Sequence, residues 1–184
     1  MTAVDIQISA IVHDGILVFE PKPIEFPKDS DIQSDSFKKS KGKITGMIEN
    51  VFKQWLKFHP DDSAFTNPGT ENQPFTLLKY RTVHTIDGLS VALTVEYENE
   101  TYCLCCTDDM KLDFKKGECP IRIKDHHSDI IFFQQRFSAG DSSFKFESSL
   151  HPDYYLAVSE ECGKCKLILQ KSNGFSELER FNVV

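Results

Sequence analysis

The chain has 184 residues, a net charge of −7 at pH 7 and a composition in which 40% of residues are hydrophobic. This length allows one domain with an appendage, built around a single substantial core. A nucleic-acid-binding protein needs a basic field over its surface, and the acidic balance argues against that class. No stretch of the sequence reaches the roughly 18 consecutive apolar residues that a membrane-spanning helix requires.

The first 35 residues are predicted to form an acidic propeptide. They hold seven acidic and two basic residues, a net charge of −5, whereas residues 36–184 hold 19 basic and 21 acidic residues. Asp5 and Asp14 interrupt the apolar N-terminus and no basic segment precedes it, so it does not fit a signal peptide. We therefore expect a cytoplasmic precursor that is secreted without a signal peptide.

Within the propeptide, residues 5–20 are predicted to form a β-hairpin. Apolar and polar residues alternate around Ile6 and Ile8, residues 13–15 supply turn chemistry, and residues 16–19 return as a second strand. Pro21, Pro23 and Pro27 then predict an extended polar linker. Because residues 28–43 contain almost no apolar side chains, we expect them to be exposed.

The rest of the chain reads as a succession of short strands separated by turns. Strands are predicted at residues 46–52, 55–58, 75–81, 90–97, 101–106, 110–114, 122–123, 129–136, 143–148, 154–158, 166–170 and 181–184. A single helical turn is expected near residues 178–180 or near Pro120. This pattern predicts an all-β sandwich or barrel, and periodicity alone does not choose between them.

Two motifs decide the choice. The run Ser128-Asp129-Ile130-Ile131-Phe132-Phe133-Gln134 has a polar start, an apolar centre and a polar exit, and residues 146–157 fit Phe-x-Ser-x-x-x-Pro-x-x-aromatic-Leu-small. The second pattern resembles the interleukin-1 cytokine family, and the first narrows the resemblance to one branch of it. The resemblance covers most of residues 36–184. It implies a β-trefoil of twelve strands in three pseudo-repeats and a secreted pro-inflammatory cytokine of immunity.

The linker contains a candidate cleavage site for a caspase. Ile32-Gln33-Ser34-Asp35 ends in the aspartate that these proteases bind in a basic pocket, and the small residue Ser36 follows. A polar, extended linker is accessible to a protease. Asp31 is the weaker alternative, and a lone Asp in a loop is also commonly just solvated. The resemblance implies that an inflammatory caspase cleaves after Asp35 and releases residues 36–184.

The resemblance also implies a two-chain receptor with immunoglobulin-like domains, of the interleukin-1 receptor family, and a soluble binding protein as a further partner. The residues that match receptor contacts of the family are Lys39, Lys43, Tyr80, Arg81, Leu89, Asp129 and Arg136. Asp129 corresponds to the face that recruits the second receptor chain. Three positions depart from the family pattern: Lys41, Gly163 and Arg136, which one extra residue shifts relative to the preceding strand. These departures indicate a non-mammalian vertebrate lineage.

Two rival functions remain open at this point. A trefoil antagonist or decoy would bind the receptor without recruiting its second chain. A glycan-binding trefoil is disfavoured, because the chain is acidic and lacks Gln-x-Trp repeats.

Catalytic and metal chemistry have little support in the sequence. No phosphate-binding glycine loop, nucleophile elbow or pair of catalytic carboxylates is present, so no enzyme activity and no cofactor are predicted. Asp125, His126 and His127 are interpreted as a polar loop. The cysteines at positions 162 and 165 have zinc-ligand spacing, with a possible second half at Cys103, Cys105 and Cys106, but exposed reactive thiols are the preferred interpretation.

Overall fold

The computed structural model describes residues 8–13, 16–21, 36–69, 71–83, 86–161 and 164–184. The chain divides into two compact units, residues 1–34 and 35–184. In the first unit, β1 (Ile8–His13) pairs antiparallel with β2 (Ile16–Pro21), as the predicted hairpin requires. Ile6 and the linker residues 22–35 lie outside the described residues. No helix in the described part of the chain is long and apolar enough to cross a membrane.

The described residues of the second unit form fourteen strands and one 3₁₀ turn at Glu177–Glu179, close to the predicted helical turn. The strands are β3 (Phe37–Gly46), β4 (Ile48–Asn50), β5 (Trp55–Lys57), β6 (Ala64–Thr66), β7 (Phe75–Thr82), β8 (Leu89–Tyr97), β9 (Glu100–Cys106), β10 (Leu112–Lys116), β11 (Arg122–Ile123), β12 (Phe132–Arg136), β13 (Phe144–Ser148), β14 (Tyr154–Glu161), β15 (Lys164–Lys171) and β16 (Phe181–Val183).

Strand pairing closes a six-membered barrel. β3 pairs with β7, β7 with β8, β8 with β12, β12 with β13, β13 with β16, and β16 with β4. Met47 and Val184 exchange backbone hydrogen bonds of 2.7 and 3.0 Å, so β3 and β4 act as one strand interrupted at Met47. Three hairpins, β5–β6, β9–β10 and β14–β15, connect barrel strands. Each third of the chain therefore runs barrel strand, hairpin, barrel strand, which is a β-trefoil.

The number of strands expected for a trefoil, twelve, is recovered by this arrangement, but these are not the same twelve that the sequence pattern predicted, because residues 122–123 were among the predicted strands and Ala64–Thr66 was not. The two additional strands have simple origins, since β3 and β4 divide one barrel strand and β11 is a two-residue pairing against β3. The barrel interior is filled mainly by aromatic and branched side chains, including Phe75, Phe132, Phe146 and Phe181, all 1% exposed or less. Full burial of each such side chain contributes about 1.5–3 kcal/mol to the free energy of unfolding.

The expectation that residues 28–43 are exposed is wrong at Ser36 and Phe37, whereas Lys38 and residues 41–43 are exposed as expected. Ser36 and Phe37 are 3% and 1% exposed, and the strand begins at Phe37 and not at Gly46. Polar composition misled the prediction, because backbone pairing with β7 holds this strand while its lysines stay in solvent. The strand Ala64–Thr66 was not predicted, since only Phe65 in it is buried.

The expectation of exposed, reactive thiols is also wrong for most of the cysteines. Cys103, Cys105, Cys106 and Cys119 are buried, and Cys165 is partly buried. β9 is covered on both faces, with Cys106 in the main core and Cys103 and Cys105 in a second cluster around Phe37. Within the described residues no three metal-ligating side chains converge, and Cys162 lies outside them.

Candidate functional site

Strand β3 and its neighbour β7 carry a dense set of cations, which we call the basic face. It comprises Lys38, Lys39, Lys41, Lys43, Lys79 and Arg81. In the part of the chain that the structure describes, none of these six side chains forms an ion pair with a carboxylate. The basic face is therefore an uncompensated positive field on a nearly neutral body.

Strand register concentrates the charge further. Lys38 lies directly opposite Arg122 on one side and Arg81 on the other, and all three are exposed. Like charges directly opposite each other in a sheet destabilise it. The opposed charges of Lys38 and Arg81 therefore favour a bound acidic surface over solvent alone.

A bulge shapes the middle of the basic face. Lys39 pairs with Tyr80 and Lys43 pairs with Leu78, so residues 40–42 of β3 stand opposite Lys79 alone. The N–H of Gly42 donates to the side-chain oxygen of Ser40 at 3.3 Å within the bulge. Extra residues bend a strand and redirect its side chains, and here residues 41–43 are all exposed.

Tyr80 is the buried residue of β7 that pairs with Lys39. Its side chain is 6% exposed, and its hydroxyl donates to the carbonyl of Pro120 at 2.6 Å. The backbone N–H of Lys39 donates to the next carbonyl, that of Ile121, at 2.8 Å. Burial, with smaller contributions from Cys119 and Cys103, raises the pKa of Tyr80 above its usual range, so the phenol stays neutral. Tyr80 and Lys39 thus hold the same loop.

Leu89 and Arg136 lie together in a shallow groove of about 550 Å³. Leu89 is 51% exposed, which is unusual for a large apolar side chain at the start of a strand. Arg136 is exposed, and its guanidinium donates to the carbonyl of Asp141 at 3.2 Å. The preceding Gly88 has φ +110°, and a Cβ there would lie 2.3 Å from the carbonyl oxygen of Gln134. The exposed position of Leu89 thus depends on a glycine.

Asp129 belongs neither to the β3–β7 pair nor to the groove that Leu89 and Arg136 line. Its carboxylate contacts the ammonium of Lys115 at 2.5 Å, and its carbonyl accepts the N–H of Cys106 at 2.7 Å. The hydrogen bond and the charge of Asp129 raise the pKa of Lys115. Asp129 lines a cavity of about 1010 Å³ that also includes Arg122. A partner that binds this carboxylate must compete with Lys115.

Ser36, the residue after the predicted cleavage point, is held by two hydrogen bonds. Its hydroxyl donates to the carbonyl of Lys124 at 3.1 Å and lies 3.0 Å from Nδ1 of His126. The recognition residues Ile32 to Asp35 lie outside the described residues. The first residue that the structure describes after the predicted cut is therefore held in place by its side chain.

The seven predicted contact residues fall into three places. Lys39, Lys43, Tyr80 and Arg81 share the β3–β7 pair, Leu89 and Arg136 share the groove, and Asp129 is separate. The sequence did not predict that Lys38 and Arg122 lie opposite each other and bring their charges together. That placement depends on the register between distant strands. No sequence signal pointed to Lys115 as the partner of Asp129.

Comparisons with known proteins agree with this architecture. The family model for Interleukin-1 / 18 matches residues 67–183, more than half of the chain. The chain belongs to the interleukin-1/18 family. Interleukin-18 of Gallus gallus is 33% identical over 153 residues, 77% of this chain and 77% of that protein. Interleukin-18 of Felis catus is 31% identical over 165 residues, 84% of each chain.

A solved structure shows the same fold. A variant of Gallus interleukin-1 beta matches with a TM-score of 0.62 at 13% identity, over 80% of this chain and 99% of that chain. The β-trefoil prediction is confirmed, as is the narrower resemblance to interleukin-18 that residues 128–134 indicate. Membership of this family makes the chain a cytokine and not an enzyme.

Proposed function

We propose that the chain is the latent precursor of a pro-inflammatory cytokine, activated by an inflammatory caspase that cleaves after Asp35. The mature product is residues 36–184. It binds a two-chain receptor of the interleukin-1 receptor family and bridges the two chains. The precursor is cytoplasmic and is secreted without a signal peptide.

The basic face is the observation that carries the receptor proposal. Six cations lie on two paired strands, and within the described residues no carboxylate neutralises them. Their mutual repulsion disfavours the free state and is relieved when an acidic surface docks. Complementary charge of this kind mainly accelerates encounter and fixes orientation. An acidic patch on the primary receptor chain, or on a soluble binding protein, is the expected partner.

The second receptor chain is assigned to another part of the surface. Asp129 is not part of the β3–β7 pair, and its carboxylate, about one third exposed, presents the opposite charge. Leu89 lies beside Arg136 and offers the primary receptor chain an exposed apolar contact next to an arginine, a residue type enriched at binding hot spots. Two chemically different surfaces on one rigid trefoil suit a ligand that joins two different chains.

Cleavage after Asp35 has a direct electrostatic consequence. It removes a segment with a net charge of −5. It also creates a new α-amino group on Ser36, next to Phe37 at the start of the basic strand. Both changes make the field at the basic face more positive. The proposal therefore links processing to faster receptor association, an effect that added salt weakens.

The experiment compares the wild-type full-length chain with Asp35→Ala and Asp31→Ala. Each is incubated with an inflammatory caspase, the product is sequenced from its N-terminus, and the mixture is applied to reporter cells that express both receptor chains. We expect Ser36 as the new N-terminus in the wild type and in Asp31→Ala, and no product from Asp35→Ala. Cleaved protein should signal at a concentration at least about tenfold lower than Asp35→Ala.

Two outcomes would change the proposal. If Asp35→Ala signals as strongly as cleaved wild type, cleavage does not control latency. If the cleaved protein binds the primary receptor chain but evokes no response, the chain is an antagonist and the bridging role is wrong.

A further inference from the structure

Two buried cysteine side chains meet behind the basic face. The sulfur atoms of Cys103 and Cys119 are 2.7 Å apart, and each residue is 4% exposed. A covalent S–S bond is about 2.05 Å long, so closure needs a movement of only about 0.7 Å. We propose that Cys103 and Cys119 form an intramolecular disulfide once the protein enters oxidising surroundings. This inference does not depend on the cleavage or receptor proposals.

The backbone explains why these two cysteines meet. Cys103 lies on β9 opposite Lys115 on β10, and Cys119 follows Lys115 by four residues. Gly117, at φ +130°, turns the chain just after β10, and its N–H donates to the carbonyl of Thr101 at 2.8 Å. The turn directs the loop of residues 117–121 back along β9. The approach of the two sulfurs is thus set by strand pairing and not by a mobile side chain.

The other described thiols are engaged elsewhere. The thiol of Cys105 donates to the carbonyl of Asp113 at 3.4 Å, and the sulfur of Cys106 accepts from the hydroxyl of Ser148 at 3.3 Å. Cys165 lies on β15, in a different hairpin. Among the described cysteines, Cys103 and Cys119 are therefore the two that are placed to bond to each other.

The two thiols also differ in reactivity. The hydrogen bond with Cys103, assisted by the charge of Lys39, lowers the pKa of Cys119. The same hydrogen bond and burial raise the pKa of Cys103. The thiolate is the reactive form in disulfide exchange, so Cys119 is the attacking group. Both cysteines line the cavity of about 1010 Å³, which gives a small oxidant a route to them.

The oxidant is a low-molecular-weight disulfide such as glutathione disulfide. The Cys119 thiolate attacks one of its sulfurs, forms a mixed disulfide and releases one glutathione thiolate. Cys103 then gives up its proton and attacks the Cys119 sulfur, which forms the Cys103–Cys119 bond and releases the second glutathione. Two protein thiols are oxidised, and one small disulfide is reduced to two thiols.

The disulfide would fasten the loop that the basic face depends on. Residues 117–121 already receive hydrogen bonds from Tyr80 and from the backbone of Lys39. A covalent link from β9 to Cys119 closes a loop of sixteen residues. From the stabilisation typical of that loop length, we expect oxidation to raise the Tm by roughly 6–12 °C.

The test uses the reduced full-length chain incubated with glutathione disulfide, alkylated, and digested with trypsin without reductant. We expect peptide 82–111 joined to peptide 117–122, with fragmentation assigning the link to Cys103 and Cys119. Cys119→Ser should abolish both the link and the rise in Tm. Cys106→Ser, a matched buried cysteine outside the pair, should keep both. Dithiothreitol should reverse both in the wild type.

Three results would overturn the inference. Complete alkylation of Cys103 and Cys119 after oxidation shows that no bond forms. A stable glutathione adduct on Cys119 shows that Cys103 does not resolve it, and a link to Cys162 or to a second molecule shows a different pairing. These readings use wild-type protein, so they do not depend on whether a serine variant folds.

Discussion

The hydroxyl of Tyr80 and the carbonyl of Pro120 form a 2.6 Å hydrogen bond across forty residues of chain. It ties β7 to the loop of residues 117–121. We expect Tyr80→Phe to lower the free energy of unfolding by about 1 kcal/mol, the usual net contribution of one such bond. Urea unfolding followed by fluorescence measures this loss.

Tyr102→Phe is the matched control for that substitution. Tyr102 is a partly buried tyrosine on β9, and its hydroxyl has no hydrogen-bond partner among the described residues. Its removal should change the unfolding free energy by much less. Equal losses in the two variants would show that the Pro120 bond contributes nothing specific.

The positions of most strands were accessible from sequence because these strands carry alternating or continuous apolar residues, whereas the trefoil order came from the family resemblance. The run at residues 130–133 and the turn residues around it marked β12 to within three residues. The predicted strand ends were wrong where side-chain hydrogen bonds, and not apolar periodicity, decide where a strand stops. Asn50 ends β4, since its side-chain oxygen accepts the N–H groups of Phe52 and Gln54. The predicted strand at 46–52 ignored that turn.

The candidate site was less accessible than the fold. The lysines of β3 were visible as a local cluster, but their alignment with Arg81 and Arg122 arises from pairing between strands forty or more residues apart. The contact between Cys103 and Cys119 is more local, but it too depends on register, here within the β9–β10 hairpin. Residue types could be read from the sequence, whereas cross-strand distances required the register.

Gly88 is expected to be intolerant of any side chain. Its φ of +110° is strained for other residues, and a Cβ would lie 2.3 Å from the carbonyl oxygen of Gln134. Gly88→Ala should destabilise the protein by about 2–5 kcal/mol, from backbone strain and overpacking together.

Gly117→Ala is the control, because Gly117 has a φ of +130° but no atom lies within 4 Å of a Cβ added there. It should show the backbone cost alone, about 1–3 kcal/mol. Thermal denaturation compares them, and equal costs would mean that the contact with Gln134 relaxes freely.

Reversal of one charge on the basic face should slow association with the primary receptor chain. Lys39→Glu replaces a cation that has no ion-pair partner within the described residues. We expect a decrease in the association rate of roughly tenfold at low salt, with less effect on dissociation. The difference should shrink as ionic strength rises. Lys171→Glu, an exposed lysine on β15, changes net charge identically and should leave the rate nearly unchanged. Surface plasmon resonance at several salt concentrations separates the effect of charge on the basic face from the effect of the net charge of the protein.

The hydrogen bonds of Ser36 should restrain cleavage after Asp35. The hydroxyl contacts the carbonyl of Lys124 and the ring of His126, and a protease must free this residue to bind the cut site. Ser36→Ala keeps a small residue after the cut and removes both bonds. We expect kcat/KM to rise by about fivefold, the equivalent of about 1 kcal/mol. Ser40→Ala, in the nearby bulge, should cleave like the wild type. An unchanged rate for Ser36→Ala would mean that the segment opens freely.

Glu179 should give the stability of the protein a pH dependence of its own. The residue is 2% exposed, Ser172 donates to one carboxylate oxygen at 3.3 Å, and the other oxygen has no partner among the described residues. Burial raises the pKa of Glu179 above 4.5, although Ser172 and Lys145 oppose the shift.

The folded protein therefore binds this proton more tightly than the unfolded chain does. At pH 7 the charged carboxylate destabilises the fold, and this cost disappears as the pH falls through the raised pKa towards 4.5. Glu179→Gln has nearly the same shape and never carries the charge, so it should be more stable than the wild type at pH 7. The advantage should shrink towards pH 4.5, while acids with lowered pKa values, such as Glu49, contribute equally to both proteins. Urea unfolding of the two proteins between pH 4.5 and 7 measures the difference. An advantage that stays constant across this range would show that packing, and not the buried charge, is responsible.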